Sequence, residues 1–196
     1  MNSLFLSNLN EHVALCSRLP ELDAPVTAAA KLIADALASG GKLMLCGNGG
    51  SAADSQHIAA EFTGRFIEDR QPLAAMALTT DTSALTCIGN DYSFADVFER
   101  QVRGLGRPGD CLIGISTSGN SENVVRAVNA CRAAGIRSIG LLGRDGGRLA
   151  ALCDLSIIVP SAVTARIQEA HILIGHTLCG LVEQRLVPVG SVARAP

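Results

Sequence analysis

The chain has 196 residues, a formal net charge of −2, and an apolar fraction of 48% in which aromatic residues are rare. This length fits one domain with an aliphatic core, so we expect a single domain over residues 1–196. The small net charge provides no attraction for nucleic acid, and no segment is apolar over the ~20 residues that a membrane-spanning helix needs. Because the start MNSLFLSNLNEHV also lacks the pattern of a signal peptide, we expect a cytoplasmic protein without membrane or nucleic-acid partners.

The seven cysteines are scattered along the chain and form no Cys-x-x-Cys pair. Several lie inside apolar runs, which is typical of buried, reduced thiols in a cytosolic protein. We expect structural thiols rather than a catalytic cysteine, since none has an obvious activating neighbour.

The first 39 residues predict two helices, separated by the segment from Pro20 to Pro25 and ended by Gly40-Gly41. Helices that precede the first strand are additional to a basic α/β plan. We expect them either to cover a face of the sheet or to form an oligomer interface.

Five apolar runs of strand length follow, at residues 42–46, 73–78, 111–115, 137–142 and 155–159. Helical patterns occur at 51–66, 93–104 and 121–134, and a long final helix is predicted from about Thr164 to Leu186. Strands that alternate with helices predict an α/β fold in which a five-stranded parallel sheet lies between two helical layers. The core would span residues 40–187, with a frayed tail at 188–196.

The first candidate binding loop, Gly47-Asn48-Gly49-Gly50-Ser51, follows the first strand and opens a helix. Its glycines allow a ligand to approach the backbone, and the helix N-terminus supplies free N–H groups. Ser51 would cap that helix and also contact a ligand. A strand-to-helix turn needs glycine for purely structural reasons too, so this loop is a weak indication by itself.

The second loop, Ser116-Thr117-Ser118-Gly119-Asn120-Ser121, follows the third strand and carries four hydroxyl groups. It lies at the carboxyl end of a strand, where open α/β sheets bind ligands. Hydroxyl donors beside a helix N-terminus suit a phosphate monoester, whereas the spacing matches neither a Walker loop nor a dinucleotide fingerprint. The sequence therefore predicts a phosphorylated small-molecule ligand.

A third group of residues has the chemistry of a metal site. His57 and Glu61 are four apart on the helix that leaves the first loop, and His176 lies on the final helix. Their nitrogen and oxygen atoms suit Zn²⁺ or a similar divalent ion, and Gln168 would add a carbonyl oxygen. A lone histidine on a helix is more often a structural residue, and we expect this of His12 and His171. By their spacing alone, His57 and Glu61 are also more often a structural pair than a functional one.

The spacing between Gln168 and His176 raises a geometric difficulty. Eight residues of straight helix span about 12 Å, so one ion reaches both residues only if the side chains lean together or if one comes from another subunit. We therefore predict shared active sites in a homo-oligomer.

In their order and spacing, the motifs GNGGSAADSQHIAAEFTGRF, IGNDYSF, GISTSGNSENVVRA, GRDGG and ARIQEAHILIGH resemble the phosphoheptose isomerases. The resemblance covers residues from about 40 to 187. It implies a sugar isomerase (SIS) domain, usually in a homotetramer with active sites at subunit interfaces. It also implies conversion of sedoheptulose 7-phosphate to D-glycero-D-manno-heptose 7-phosphate, the first step toward the heptose of bacterial lipopolysaccharide.

Carried over by position, the resemblance implies roles for individual residues. Glu61 and His176 match the acid–base pair, and one zinc ion per subunit would be held by His57, Glu61, Gln168 and His176. The implied substrate contacts are Asn48, Gly49, Gly50, Ser51, Glu61, Arg65, Asn90, Asp91, Ser116, Thr117, Ser118, Ser121 and Gln168. Arg65 is expected on the same helix face as Glu61, and Ala165 stands where some members carry Asp.

Two other functions remain alternatives. A relative with the same fold, the DnaA initiator-associating protein, tethers replication initiators and lacks the glutamate and the final histidine; this chain has Glu61 and His176, which favours catalysis. A sugar-phosphate sensor, or an isomerase of an amino-sugar phosphate, would have a similar phosphate loop. The histidine and glutamate set favours the heptose phosphate.

Overall fold

The centre of the fold is a five-stranded parallel sheet, and the computed structural model describes residues 3–187 around it. The strands are β1 (Leu43–Gly47), β2 (Ala75–Ala77), β3 (Cys111–Ser116), β4 (Arg137–Gly143) and β5 (Leu155–Val159), in the order β2-β1-β3-β4-β5. All five predicted strands are confirmed, although β2 is shorter than expected. The strand order reverses around β1, and open α/β sheets bind ligands at such a switch point.

Eight α-helices surround the sheet in the described residues. They are α1 (Leu4–Cys16), α2 (Asp23–Ala38), α3 (Gly50–Thr63), α4 (Thr82–Asp91), α5 (Val97–Leu105), α6 (Glu122–Ala133), α7 (Leu149–Leu152) and α8 (Thr164–Leu186). Two 3-10 turns occur at Leu19–Leu22 and Phe94–Asp96. Two of these helices, α4 and α7, were not predicted from the sequence: α7 has only four residues, and α4 is a largely exposed helix in which Leu85 and Ile88 are only half-buried against the core.

The two faces of the sheet are covered by different helices. Leu43 and Leu45 of β1 point into a core formed with α2, α3 and α8, whereas Met44, between them, points toward α5, α6 and α7. The predicted three-layer arrangement, with a long C-terminal helix, is therefore confirmed.

The two N-terminal helices differ in burial. Val26, Ala29 and Ile33 of α2 are buried, and α2 packs against α8, so this helix covers one face of the sheet as expected. By contrast, α1 buries only Leu15, while the exposed fraction of Phe5 is 71%. The predicted break at Pro20–Pro25 is shorter in the structure, because Pro25 lies in the first turn of α2, where proline is tolerated.

The seven cysteines are unpaired; Cys46, Cys111, Cys131 and Cys179 are buried, as expected, whereas Cys87 is exposed and Cys16 and Cys153 are half-buried. Burial raises the pKa of Cys111 and Cys131 to about 12, so these two thiols are protonated at neutral pH. Within residues 3–187, no helix is long and apolar enough to cross a membrane. The predicted frayed tail, 188–196, lies outside the described residues.

Candidate active site

The packing of α3 against α8 brings two distant parts of the sequence together. Gly175 of α8 makes this approach possible, since a Cβ at that position would lie 2.7 Å from the Cδ1 atom of Ile58 on α3. His57 and His176 directly neighbour these two residues in sequence. The close contact between the helices therefore places the two imidazoles at one point.

His57, Glu61 and His176 form one cluster at this contact. The Nε2 atoms of the two histidines lie 2.9 Å apart, and Glu61 Oε1 lies 3.5 Å from His57 Nε2. One ligand atom from each residue lies within 4.8 Å of the other two. The side chains of His57 and Glu61 remain 50% and 24% exposed, so a ligand can reach them. Two imidazole nitrogens and a carboxylate at this separation fit a divalent ion such as Zn²⁺.

The side chain of Gln168, on α8, lies beside the N-terminal end of α3. A Cβ on Gly50, the first residue of α3, would come within 2.5 Å of the Gln168 Nε2 atom. Because α8 is one uninterrupted helix, the axial rise between Gln168 and His176 is about 12 Å. In one chain, Gln168 therefore faces the first loop and not the His57–Glu61–His176 cluster.

The first loop is held by a residue that the sequence analysis missed. Asn48 and Asn123 exchange two side-chain amide hydrogen bonds, of 3.0 and 2.8 Å, and these join the first loop to the start of α6. Asn123 is buried, but a single Asn in the first turn of a helix gave no signal of this contact. The prediction that Ser51 caps α3 is wrong: the N-cap is Gly49, whose φ of 55° suits glycine, and Ser51 is buried in the first turn.

The hydroxyl groups of the second loop lie together at the carboxyl end of β3. The Oγ atoms of Ser116 and Ser121 are 2.9 Å apart, and Ser118 Oγ accepts the N–H of Asn120. Ser121 is the N-cap residue of α6 without using its side chain as a cap, and Thr117 is half-buried. This turn thus combines clustered hydroxyls with a helix N-terminus, the arrangement expected of a phosphate site.

The GRDGG motif, Gly143–Gly147, packs against the second loop. Gly119 has a φ of 66°, and a Cβ there would lie 1.9 Å from the carbonyl oxygen of Gly146. The N–H of Leu149 also donates to the carbonyl of Gly119 over 3.0 Å. The segment Gly143–Gly147 therefore fixes the shape of the hydroxyl-rich turn.

Arg65 does not share a helix face with Glu61, contrary to the prediction. Helix α3 ends at Thr63 with Gly64 as its C-cap, so Arg65 lies in the following loop. Arg70 donates to the carbonyls of Glu61 and Phe62 at this end of the helix. The Arg65 side chain is exposed, and among the described contacts it has no ion pair.

Asn90 and Asp91 are the last residues of α4, whose main packing partners are α5 and the Phe94–Asp96 turn. Both side chains are exposed, and Asn90 donates to Asp91 over 2.8 Å. This hydrogen bond, with a second from Cys87, lowers the pKa of Asp91. Within one chain, the structure brings neither residue into the His57–Glu61–His176 cluster.

Two further residues border the cluster. The Phe66 ring stacks on the imidazole of His176, with centroids 5.5 Å apart and an interplanar angle of 20°. Asp54, one helical turn before His57, has a buried Oδ2 atom without a hydrogen-bond partner among the described residues. Burial raises the pKa of Asp54, while His57 opposes the shift. Ala165, in the first turn of α8, is exposed.

The other two histidines have structural contacts, as expected. His12 Nδ1 pairs with Glu169 Oε2 at 2.7 Å on the surface between α1 and α8. His171 is buried, and its Nε2–H donates to the carbonyl of Leu142 over 3.0 Å. Burial lowers the pKa of His171 to about 4, against a smaller opposing effect of this hydrogen bond.

Comparison with known proteins places this arrangement in a family. A family model of the SIS domain matches residues 9–143. The phosphoheptose isomerase of Rhodospirillum rubrum is 54% identical over 169 residues, covering 86% of this chain and 90% of that protein. That of Aliarcobacter butzleri is 50% identical over 187 residues, covering 95% and 99%. The solved structure of phosphoheptose isomerase GmhA from Neisseria gonorrhoeae superposes with a TM-score of 0.87 at 49% identity, covering 92% of this chain and 97% of that one. The chain therefore belongs to the phosphoheptose isomerase family of SIS-domain proteins.

Proposed function

We propose that this protein is an isomerase that converts D-sedoheptulose 7-phosphate to D-glycero-D-manno-heptose 7-phosphate in the cytoplasm, as the first step of heptose synthesis for lipopolysaccharide. The observation that carries the proposal is the convergence of His57, Glu61 and His176 at the α3–α8 contact. The high identity to proteins named phosphoheptose isomerase supports the choice of substrate.

The reaction moves a hydrogen between two neighbouring carbons of the sugar. A base removes a proton from C1 of the ketose, the C2 oxygen is protonated, and an enediol(ate) results. Loss of the O1 proton and return of a proton to C2 then give the aldose, so the atoms of substrate and product balance. We assign the carbon-bound proton to Glu61 and the oxygen-bound protons to His176, because a carboxylate and an imidazole at this separation can divide these tasks.

A zinc ion is the expected cofactor, one per subunit. His57, Glu61 and His176 would hold it, with Gln168 as the further predicted ligand. When bound, the ion would supply positive charge that stabilises the negative charge developing on the sugar oxygens. The mutual distances of the three side chains and their nitrogen and oxygen chemistry support this assignment.

The phosphate group of the substrate is assigned to the hydroxyl-rich turn formed by Ser116, Thr117, Ser118 and Ser121. The first loop, Asn48–Ser51, would contact the sugar, and Gln168 lies beside it at Gly50. Arg65 is an exposed cation in the loop after α3 and remains a candidate for a substrate contact. Asn90 and Asp91 are also proposed as substrate contacts, and only their match to the family motif supports this.

We also propose a homotetramer with shared active sites. The exposed apolar side chains of α1, among them Leu4, Phe5 and Val13, suit burial against another subunit. The position of Gln168, about 12 Å along α8 from His176, favours a site completed by a neighbouring subunit. Mixing inactive Glu61→Gln and Gln168→Ala proteins, with exchange of subunits, should then restore turnover in a fraction of the sites. Full activity of a monodisperse monomer would contradict the shared site.

The first experiment is an assay of the purified protein with sedoheptulose 7-phosphate, in the presence of a chelator and after addition of Zn²⁺. We expect aldose formation that the chelator abolishes and zinc restores. An absence of turnover in zinc-replete protein would favour the initiator-tethering alternative, to be examined by a pull-down of replication initiators. Faster turnover of an amino-sugar phosphate would assign the chain to another sugar isomerase.

A further inference from the structure

A buried ion pair between Arg70 and Glu183 lies behind the proposed active site. The Nε atom of Arg70 is 2.8 Å from Glu183 Oε1, and each side chain is only 3% exposed. Burial by itself would raise the pKa of Glu183. Three backbone N–H groups and the Arg70 guanidinium outweigh this effect and hold that pKa below its usual value. Glu183 is therefore a charged group in the core.

Each partner of the pair holds a different end of the loop after α3. Glu183 accepts the backbone N–H groups of Phe66, Ile67 and Glu68, at 3.0 to 3.3 Å. Arg70 donates to the carbonyls of Glu61 and Phe62, both over 2.9 Å, at the C-terminal end of α3. The pair thus fastens the end of α3, and the loop that follows it, to α8.

The end of α3 and the loop that follows it set the geometry of the proposed catalytic residues. Arg70 bonds to the backbone of Glu61 itself, and the loop held by Glu183 places the Phe66 ring on the imidazole of His176. Glu183 follows His176 by seven residues, or two turns, on α8. Through this ion pair, the backbone of Glu61 is connected to helix α8, which carries His176. It is also connected to the loop whose Phe66 ring stacks on the His176 imidazole.

We propose that Arg70 and Glu183 are positioning residues, which set the separation of Glu61 and His176 and orient the His176 imidazole through Phe66. This inference rests on the proposed function for its effects on turnover and on zinc affinity, whereas its effect on the His176 ring does not depend on that function. Its effects on the His176 ring and on metal affinity are measurable without any substrate.

The test compares Glu183→Gln and Arg70→Lys with the wild type. The first readout is the Cε1–H resonance of His176 in metal-free protein labelled with 13C at histidine Cε1, because the stacked Phe66 ring shifts that proton. We expect this resonance to move in both variants, while that of His12 stays in place. The second readout is the dissociation constant for Zn²⁺ in competition with a chelating dye, which we expect to rise at least tenfold. In turnover with sedoheptulose 7-phosphate, kcat should fall more than KM rises.

The matched control is Asp110→Asn. Asp110 is a buried carboxylate that pairs with Lys42 at 2.6 Å and accepts backbone N–H groups of Lys42 and Arg107, at the amino ends of the strands and away from the site. Its loss should lower the melting temperature without moving the His176 resonance or the zinc affinity. If Glu183→Gln fails to fold, the double variant Arg70→Met with Glu183→Met replaces it in the test. This variant exchanges the buried ion pair for apolar side chains, which is often neutral for stability. A His176 resonance and a zinc affinity equal to those of the wild type, in a folded Glu183→Gln or double variant, would overturn the proposal.

Discussion

The Nε2 atoms of His57 and His176 lie 2.9 Å apart, although 119 positions separate these residues in the chain. This contact exists because Gly175 has no side chain to keep α8 away from Ile58 of α3. The two histidines together with Glu61 are the only group of three or more His, Cys, Asp or Glu residues in the described part of the chain whose ligand atoms converge in this way. Metal affinity and turnover should therefore depend on both helices.

Replacement of His57 by Asn should weaken zinc binding by about 100-fold, since it removes one of two imidazole ligands. Competition with a chelating dye measures this change directly. His12→Asn is the matched control, because His12 pairs with Glu169 at a surface away from the cluster. Equal zinc affinities of the His57→Asn variant and the wild type would exclude His57 as a ligand.

Replacement of Glu61 by Gln should reduce kcat by about 1,000-fold while the protein stays folded, because a neutral amide cannot accept the C1 proton. Initial rates with sedoheptulose 7-phosphate, together with circular dichroism, test both parts. Glu68→Gln changes an exposed carboxylate in the loop after α3 and should leave kcat near the wild-type value. A near-normal rate in Glu61→Gln would refute the role assigned to Glu61.

Gly119→Ala should lower the free energy of unfolding by roughly 2–4 kcal/mol, because its φ is positive and the added Cβ would meet the backbone oxygen of Gly146 at 1.9 Å. Gly104→Ala is the control: it lies within α5, with no atom within 4 Å of the new Cβ. There alanine should stabilise by about 0.5–1 kcal/mol. Urea denaturation of the wild type and both variants measures these changes. If Gly119→Ala were as stable as the wild type, the Gly143–Gly147 segment would have to move aside at little cost in free energy.

The stability of the protein should fall in weak acid, in part because of His171. Its pKa is about 4 in the native state against 6.5 for the ordinary group. Between these values the unfolded chain binds a proton that the native chain does not, so the free energy of unfolding decreases as the pH falls. This one residue accounts for a loss of about 3 kcal/mol by pH 4. The full contribution is present only above pH 6.5.

Urea denaturation at several pH values, with wild type and His171→Gln, tests this dependence. The variant retains a donor for the Leu142 carbonyl but does not titrate, so its stability should change less between pH 6.5 and 4. If the free energy of unfolding changed with pH equally in His171→Gln and the wild type, groups other than His171 would be responsible for the loss of stability in acid.

Local patterns in the sequence were enough to predict the sheet and the two loops. Aliphatic runs such as Leu43–Cys46 form strands that are buried on both faces of the sheet, and the hydroxyl-rich segment Ser116–Ser121 directly follows such a strand. Helix α4 was missed because it is short and largely exposed, with Leu85 and Ile88 only half-buried against the core.

The sequence by itself determined the order of the elements and the residue types of the site, because hydrophobic period, glycine positions and hydroxyl clusters are properties of neighbouring residues. Only the tertiary structure decided which of those residues meet. The contact of α3 with α8 joins His57, Glu61 and His176, and the offset of eight residues along α8 keeps Gln168 at the first loop. Helix α3 ends at Thr63, which moves Arg65 away from the face of Glu61, and the Arg70–Glu183 pair that contacts this end joins residues 113 positions apart. Contacts over such separations depend on how whole helices pack, which no local pattern records.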